Sequence, residues 1–317
     1  MTDTASLPTT QLDENKFRDP DVTADGSRRA SVAFTGLETL WFNTGTLCNL
    51  TCGHCFMDSS PTNDALVYLS AAEVAVYLDE IERDRLSVTE IGFTGGEPFM
   101  NSDIIAMLSD SLERGYRVLV LTNAMRPMMK LAEPLLDLRQ RFSDQLVIRV
   151  SLDHYTEALH ELERGDRSWG PTLAGIEWLA RNGFILNLAG RTCWREPEDA
   201  LRLGYARLFA DRSIPVDAHD PVALVLFPEM DTDVDVPEIT VDCWDILGVE
   251  PGSLMCANSR MVVKHRDADH PVVTACTLVP FDRAFDTGRS LAEARVAVKL
   301  NHPHCARFCV LGGASCG

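Results

Sequence analysis

Cys48, Cys52 and Cys55 fall within one short stretch, Cys48-Asn-Leu-Thr-Cys52-Gly-His-Cys55. Thiolates are soft ligands that hold iron tightly, and such close spacing lets a single loop wrap a single cluster. Three thiolates on a four-iron cluster leave one iron open to a ligand that is not cysteine. Ordinary electron-carrier clusters close all four positions. A structural zinc site would want a fourth Cys or His nearby, and His54 is the candidate, although it sits between two ligands in a cramped loop.

The remaining cysteines are Cys193, Cys243, Cys256, Cys276, Cys305, Cys309 and Cys316. The last three crowd the tail beside His302 and His304, and with these imidazoles they offer a zinc-stapled tail as one reading. Residues 1–13 are polar and lack both a basic head and an apolar run of signal-peptide length. No stretch is apolar enough to span a bilayer. These features lead us to expect a cytoplasmic protein, in which clustered cysteines hold metal more often than they pair as disulfides.

The elements that must position these residues follow a regular alternation. The pattern predicts strands over residues 38–44, 90–94, 117–121, 146–152, 184–189 and 222–227. Helices fall between them over residues 70–83, 101–114, 126–142, within 156–181, and over 196–210, the first opened by a Ser70-x-x-Glu73 capping box. Short apolar strands alternating with amphipathic helices indicate an α/β fold with a parallel sheet covered by helices. Six such units make an open sheet or most of a barrel, and in either the chemistry belongs at the C-terminal strand ends. Cys48, Gly95-Gly96-Glu97-Pro98, Thr122-Asn123, Ser151 with Asp153, Arg191 with Cys193, and Pro228-Glu229 all follow strands in this way. After about residue 242 the alternation stops. Residues 261–264 and 272–276 flank a turn-like Arg266-Asp-Ala-Asp269, and residues 290–298 read as a short helix.

Length and charge bound the function. A chain of 317 residues buries a sizeable core and divides naturally into a large and a small domain. We expect a loose polar arm over 1–36, a core over 37–235 and a small domain over 236–317. The formal charge of -18 repels phosphate backbones and anionic lipid surfaces, so neither nucleic acid nor membrane is an expected partner. A cationic small molecule suits this field better.

Cys-x3-Cys-x2-Cys after the first strand, followed by Thr94-Gly95-Gly96-Glu97-Pro98 after the second, resembles the paired signature of the radical S-adenosylmethionine (SAM) superfamily. The resemblance covers about residues 40–229. It implies a partial (β/α)6 barrel and a [4Fe-4S] cluster on Cys48, Cys52 and Cys55. It also implies SAM bound to the open iron and reduced to a 5′-deoxyadenosyl radical, with flavodoxin or ferredoxin as electron donor. Gly95 and Gly96 would allow close backbone approach to the ligand, and Glu97 would accept hydrogen bonds from its ammonium group. By position Ser151 looks like a ribose contact and His54 the neighbour of the adenine. Asn123 and Arg191 would hold the methionine carboxylate or the substrate.

The tail resembles the twitch or SPASM-type extension of that superfamily, which carries auxiliary four-iron clusters. Five cysteines, Cys256, Cys276, Cys305, Cys309 and Cys316, suffice for one such cluster with one to spare, giving two [4Fe-4S] clusters in all. Cys193 and Cys243 are left over, and a buried free thiol is the commonest fate of a lone cysteine. At the rim, however, the Cys193 thiol could return a hydrogen atom to a substrate radical, as in twitch enzymes that epimerise sugars. The resulting expectation is epimerisation or dehydrogenation of a polar, sugar-like small molecule. Modification of a ribosomally made peptide is the alternative, weighed down by an arm too short for an added peptide-binding domain. An iron–sulfur electron carrier or a zinc-stapled binding module completes the set.

Overall fold

The structure is a computed structural model that describes residues 11–228 and 231–312. Its core strands are β1 (Thr39–Asn43), β2 (Glu90–Thr94), β3 (Arg117–Thr122), β4 (Leu146–Ser151), β5 (Ile185–Arg191) and β6 (Leu224–Phe227). They pair in sequence order and all in parallel. Between them run α1 (Ala71–Asp84), α2 (Ile104–Glu113), α3 (Ala132–Arg141), α4 (Glu157–Arg164), α5 (Trp169–Arg181) and α6 (Glu198–Arg212). This is the expected α/β partial barrel. The long helix expected over 126–142 is broken into a single turn, Arg126–Met129, followed by α3.

Both faces of the strands are apolar, as a covered parallel sheet requires. Leu40, Phe42, Ile91, Phe93, Val118 and Val120 pack outward under the helices. The alternate residues Trp41, Leu119 and Val147 fill the inner face with Met57 and Met261. Gly92 lies beneath the Trp41 indole, where a Cβ would stand 2.3 Å from the ring. The expected capping box is present: Ser70 Oγ accepts from the Glu73 amide and the Glu73 carboxylate from Ser70 N. Glu73 also pairs with Lys264 at 2.6 Å, tying the start of α1 to the C-terminal segment.

That segment extends the same sheet. β7 (Ser259–Val263) lies parallel to β1 on its free side, and β8 (Val272–Thr274) and β9 (Asp286–Gly288) continue antiparallel from it. The expected hairpin over 261–276 is therefore hydrogen-bonded to the barrel. The short helix expected over 290–298 does not form; residues 291–294 make a turn. The carbonyls of Ala294 and Val296 are drawn instead to the buried Arg260 guanidinium, each at 2.8 Å.

The loose arm is also corrected over residues 11–36. Ser31–Val32 pairs with Val298–Lys299, and Phe17, Ala30 and Val32 join a second core with Val236, Ile239 and Cys305. Its anchor is Arg29, whose fully covered side chain meets Glu238 at 2.5 Å and donates to the carbonyls of Asp19, Val22 and Leu300. A polar composition hid one apolar stripe and one buried ion pair.

Removing one partner of such a pair leaves the other charge buried and uncompensated. Glu238→Ala is expected to lower the unfolding free energy by about 3 kcal/mol or more in urea titrations. Limited proteolysis should then cut within residues 11–30 ahead of the barrel.

Candidate active site

Parallel pairing in register brings Asn43 beside Thr94, Ser151 beside Ala189 and Arg191 beside Phe227, so the loops leaving these strands share one rim. There they enclose a cavity of about 170 Å³. Cys48, Cys52, Cys55 and His54 line it from the first loop. Gly95, Gly96, Asn123, Ser151 and Arg191 line it from the next four strand ends.

The glycines do more than admit a ligand. Gly96 N donates to Gly45 O at 2.8 Å and Glu97 N to Leu47 O at 3.1 Å, zipping the second loop onto the segment that leads into Cys48. A Cβ on Gly95, at φ +139°, would stand 2.5 Å from Gly45 O, and one on Gly96 2.3 Å from Leu47 O. Their close approach is to the cluster loop itself.

Glu97 departs from expectation. Its carboxylate does not reach the cavity but lies beneath the loop, 1% exposed, accepting from Thr122 Oγ1 at 2.8 Å, Asn123 N at 2.9 Å and Phe99 N at 3.2 Å. Burial pushes its acid up to about 7, outweighing those hydrogen bonds. Asn123 acts as a bracket: its Nδ2 donates to Asn49 Oδ1 at 2.9 Å and lies 3.9 Å from Cys48 Sγ.

Sequence reasoning missed Glu163 and Arg164, both at the end of α4. The Glu163 carboxylate accepts from Arg191 Nη1 at 2.7 Å and His54 N at 2.9 Å, and its other oxygen meets His54 Nδ1 at 2.8 Å. Its carbonyl takes the Gly53 amide at 2.8 Å. One residue thus clamps the middle of the cysteine loop to α4 and β5. Arg164 meets Asp153 at 2.6 Å. Burial disfavours the Arg164 charge, but the Asp153 carboxylate beside it outweighs that cost, and thiolate forms of Cys52 and Cys55 would add to the effect. The signal was present: His160 and Glu163 occupy the buried stripe of α4, where a charge needs a partner.

Burial pushes the Cys48 thiol up to about 12 and Cys52 to about 11, with Arg164 opposing the shift at Cys52. Metal binding here must displace protons. Among the described residues no three His, Cys, Asp or Glu side chains converge closely enough to hold one metal ion. The three thiols border a volume instead, which fits a polynuclear cluster whose irons each take one thiolate.

A second, small apolar cavity of about 10 Å³ is bordered by Cys256, Cys276, Cys305 and Cys309, together with His304 and Leu278. Burial pushes Cys256 up to about 11 and Cys305 to about 12, and pulls His302 and His304 down to about 4, so both imidazoles are neutral at pH 7. Cys316 and Glu229 lie outside the described residues. Cys193 is half-buried and is not among the side chains lining the first cavity. Cys243 sits at the start of a short helix, where its sulfur accepts from Thr240 N at 3.3 Å.

The family model described as "Radical SAM superfamily" matches residues 42–193, the span that carries both motifs and this rim. That segment, just under half of the chain, is a radical SAM domain. The antilisterial bacteriocin subtilosin biosynthesis protein AlbA of Bacillus subtilis (strain 168) is 28% identical over 143 residues, 45% of this chain and 30% of AlbA. The mycofactocin maturase MftC of Mycobacterium ulcerans (strain Agy99) is 29% identical over 137 residues, 43% of this chain and 35% of MftC. The matched segment thus spans about a third of these relatives' length. The solved structure of anSMEcpe with bound AdoMet superposes with a TM-score of 0.57 at 13% identity, over 81% of this chain and 77% of that one. It shares the fold. Membership in this superfamily implies a [4Fe-4S] cluster and SAM as cofactors.

Two variants test the rim. Gly96→Ala should destabilise the protein and lower its iron content, because the Leu47 carbonyl cannot yield. Gly170→Ala, with nothing within 4 Å of its added Cβ, should be neutral or stabilising by up to about 1 kcal/mol. For Glu97 the folded value is raised from 4.5 to about 7, so the stabilisation is complete below pH 4.5 and declines as pH rises toward 7. Urea midpoints of wild type should fall relative to Glu97→Gln across that window, and parallel curves would refute the burial argument.

Proposed function

We propose that this radical SAM enzyme acts on a peptide or peptide-like substrate, with residues 37–235 as the catalytic barrel and 236–317 holding an auxiliary cluster. The observation that carries the substrate class is the outer wall of the first cavity. Phe227, Pro228, Leu278 and Phe308 form it, and Phe227 stacks on Phe308 with ring centroids 5.6 Å apart. The two acids that line the cavity are both held by arginines, Asp153 by Arg164 and Glu163 by Arg191. A cationic, polyhydroxylated sugar would find these charges already compensated, whereas an uncharged side chain would bury apolar surface against the wall. The relatives are in line with this reading: AlbA is named for bacteriocin biosynthesis and MftC as a maturase.

Cys48, Cys52 and Cys55 would hold the catalytic cluster. When bound, the cluster and SAM would supply the radical chemistry that removes a hydrogen atom from substrate. The chain's own residues do the positioning. Glu163 and Asn123 fix the loop, Ser151 offers a hydroxyl at the end of β4, and the Arg164–Asp153 pair lines the cavity as a compensated set. The aromatic wall covers the substrate group and keeps water from it. Epimerisation of a sugar-like molecule with Cys193 as hydrogen donor is the weaker reading, because that thiol is not on the wall. Among the described residues no helix is long and apolar enough to cross a membrane. A reducing protein such as flavodoxin or ferredoxin is the proposed electron donor.

Reconstituted protein with dithionite should convert SAM to 5′-deoxyadenosine and methionine, and the Cys48, Cys52 and Cys55 triple alanine variant should not. Candidate peptides from neighbouring genes should stimulate deoxyadenosine formation, and side-chain-deuterated peptide should pass deuterium into it. Phe308→Ala should raise KM for the peptide several-fold. Stimulation by aminoglycosides but by no peptide would reverse the substrate assignment.

A further inference from the structure

The buried arginines are compensated in different ways. Arg29 has Glu238 and Arg164 has Asp153. Arg260, on β7 and 1% exposed, has no carboxylate within ion-pair distance among the described residues. Its donors go to carbonyls: Nε to Ala294 and Nη2 to Val296, both at 2.8 Å, and Nη1 to Cys256 and Ser259, both at 2.7 Å. The Phe34 ring covers it, with its centroid 4.7 Å from Cζ. Carbonyl dipoles satisfy its hydrogens but leave its full charge in an apolar interior. An uncompensated buried charge costs several kcal/mol unless a counter-charge is near.

The candidates for that counter-charge are the thiols of the second cavity. Arg260 Nη1 is bonded to the backbone carbonyl of Cys256, whose thiol is one of the four that border that cavity. Four thiolates around a four-iron core leave the whole group net negative. Behind Cys256 lies the Arg260 guanidinium, and in front lies a cavity otherwise lined by apolar side chains and His304.

We propose that Arg260 is the buried counter-charge of the auxiliary centre and stabilises its reduced form; this rests on the reading that the tail cysteines hold a cluster. One-electron reduction adds one negative charge to the group. A fixed cation a short distance away in a low-dielectric interior favours that state and raises the midpoint potential. A purely structural Arg260, stitching residues 256, 259, 294 and 296 together, would leave the potential unmoved provided the centre stays intact.

The test uses the full chain carrying the Cys48, Cys52 and Cys55 triple alanine substitution, so that only the tail centre contributes iron and an electron paramagnetic resonance signal. Iron is counted, and the centre is then titrated potentiometrically. With Arg260 present, about four irons per chain are expected. Arg260→Met should keep the iron but cut the ratio of reduced to oxidised centre at fixed poise by about tenfold, or about 59 mV for a one-electron couple. Arg260→Lys, which keeps the charge and loses the fork of carbonyl contacts, should stay near the parent. Should the Met variant not fold, Arg260→Gln retains donors without the charge and is read in the same way. An unmoved potential in the neutral variant, or an equal shift in Arg260→Lys, overturns the counter-charge with the cluster still present. A parent that binds no iron overturns the auxiliary-cluster reading first, and the inference with it.

Discussion

The rim depends on one close backbone contact. Where Gly95 and Gly96 leave β2, their main chain lies directly against the carbonyls of Gly45 and Leu47, with no room for a Cβ at either position. Two amide hydrogen bonds, Gly96 N to Gly45 O and Glu97 N to Leu47 O, then hold the start of the cysteine loop to its neighbour. The buried Glu97 carboxylate passes the constraint to β3 through Thr122 and Asn123, and Asn123 reaches back to Asn49 beside Cys48. Three strand ends are thereby braced together before any cofactor is considered. A loop that must present three thiols at fixed spacing needs such support, because flexible ligands bind with an entropy cost that a braced loop has already met.

The charges around the site obey a second rule. Inside the first cavity they occur as partnered sets, Asp153 with Arg164 and Glu163 with His54 and Arg191. Such pairing keeps the interior from penalising them and leaves a wall of apolar side chains to face what enters. Leu278 lines both cavities, and Phe308 stands between Cys305 and Cys309 on one helical segment. The same short stretch therefore supplies two thiols to the second cavity and an aromatic cover to the first.

Much of this architecture was legible in the sequence. Strands over 90–94 and 117–121 read from their apolar runs, α1 from its capping box, and the cluster loop from three cysteines spaced closely enough for one loop to wrap one cluster. Those are local signals, carried by residues a few positions apart, and local physics acts on them whatever the rest of the chain does. Even the convergence of six strand ends on one rim followed from the alternation of strands and helices, because parallel sheets place their loops on one side.

What only the tertiary structure decided came from partners far apart in sequence. Glu163 meets His54 across 109 positions, and Arg29 meets Glu238 across 209. The arm over 11–36 looked loose because its composition is polar, yet its apolar stripe and Arg29 find their complements beyond residue 235. Glu97 carried the right motif but turned its carboxylate inward, since three donors waited beneath the loop. The sequence by itself determined the chemistry of the cysteine loop and the sheet that presents it. Which charges are paired, which thiols share a cavity and where Arg260 lies uncompensated depended on three-dimensional packing, because desolvation and pairing are properties of a surrounding that no local window contains.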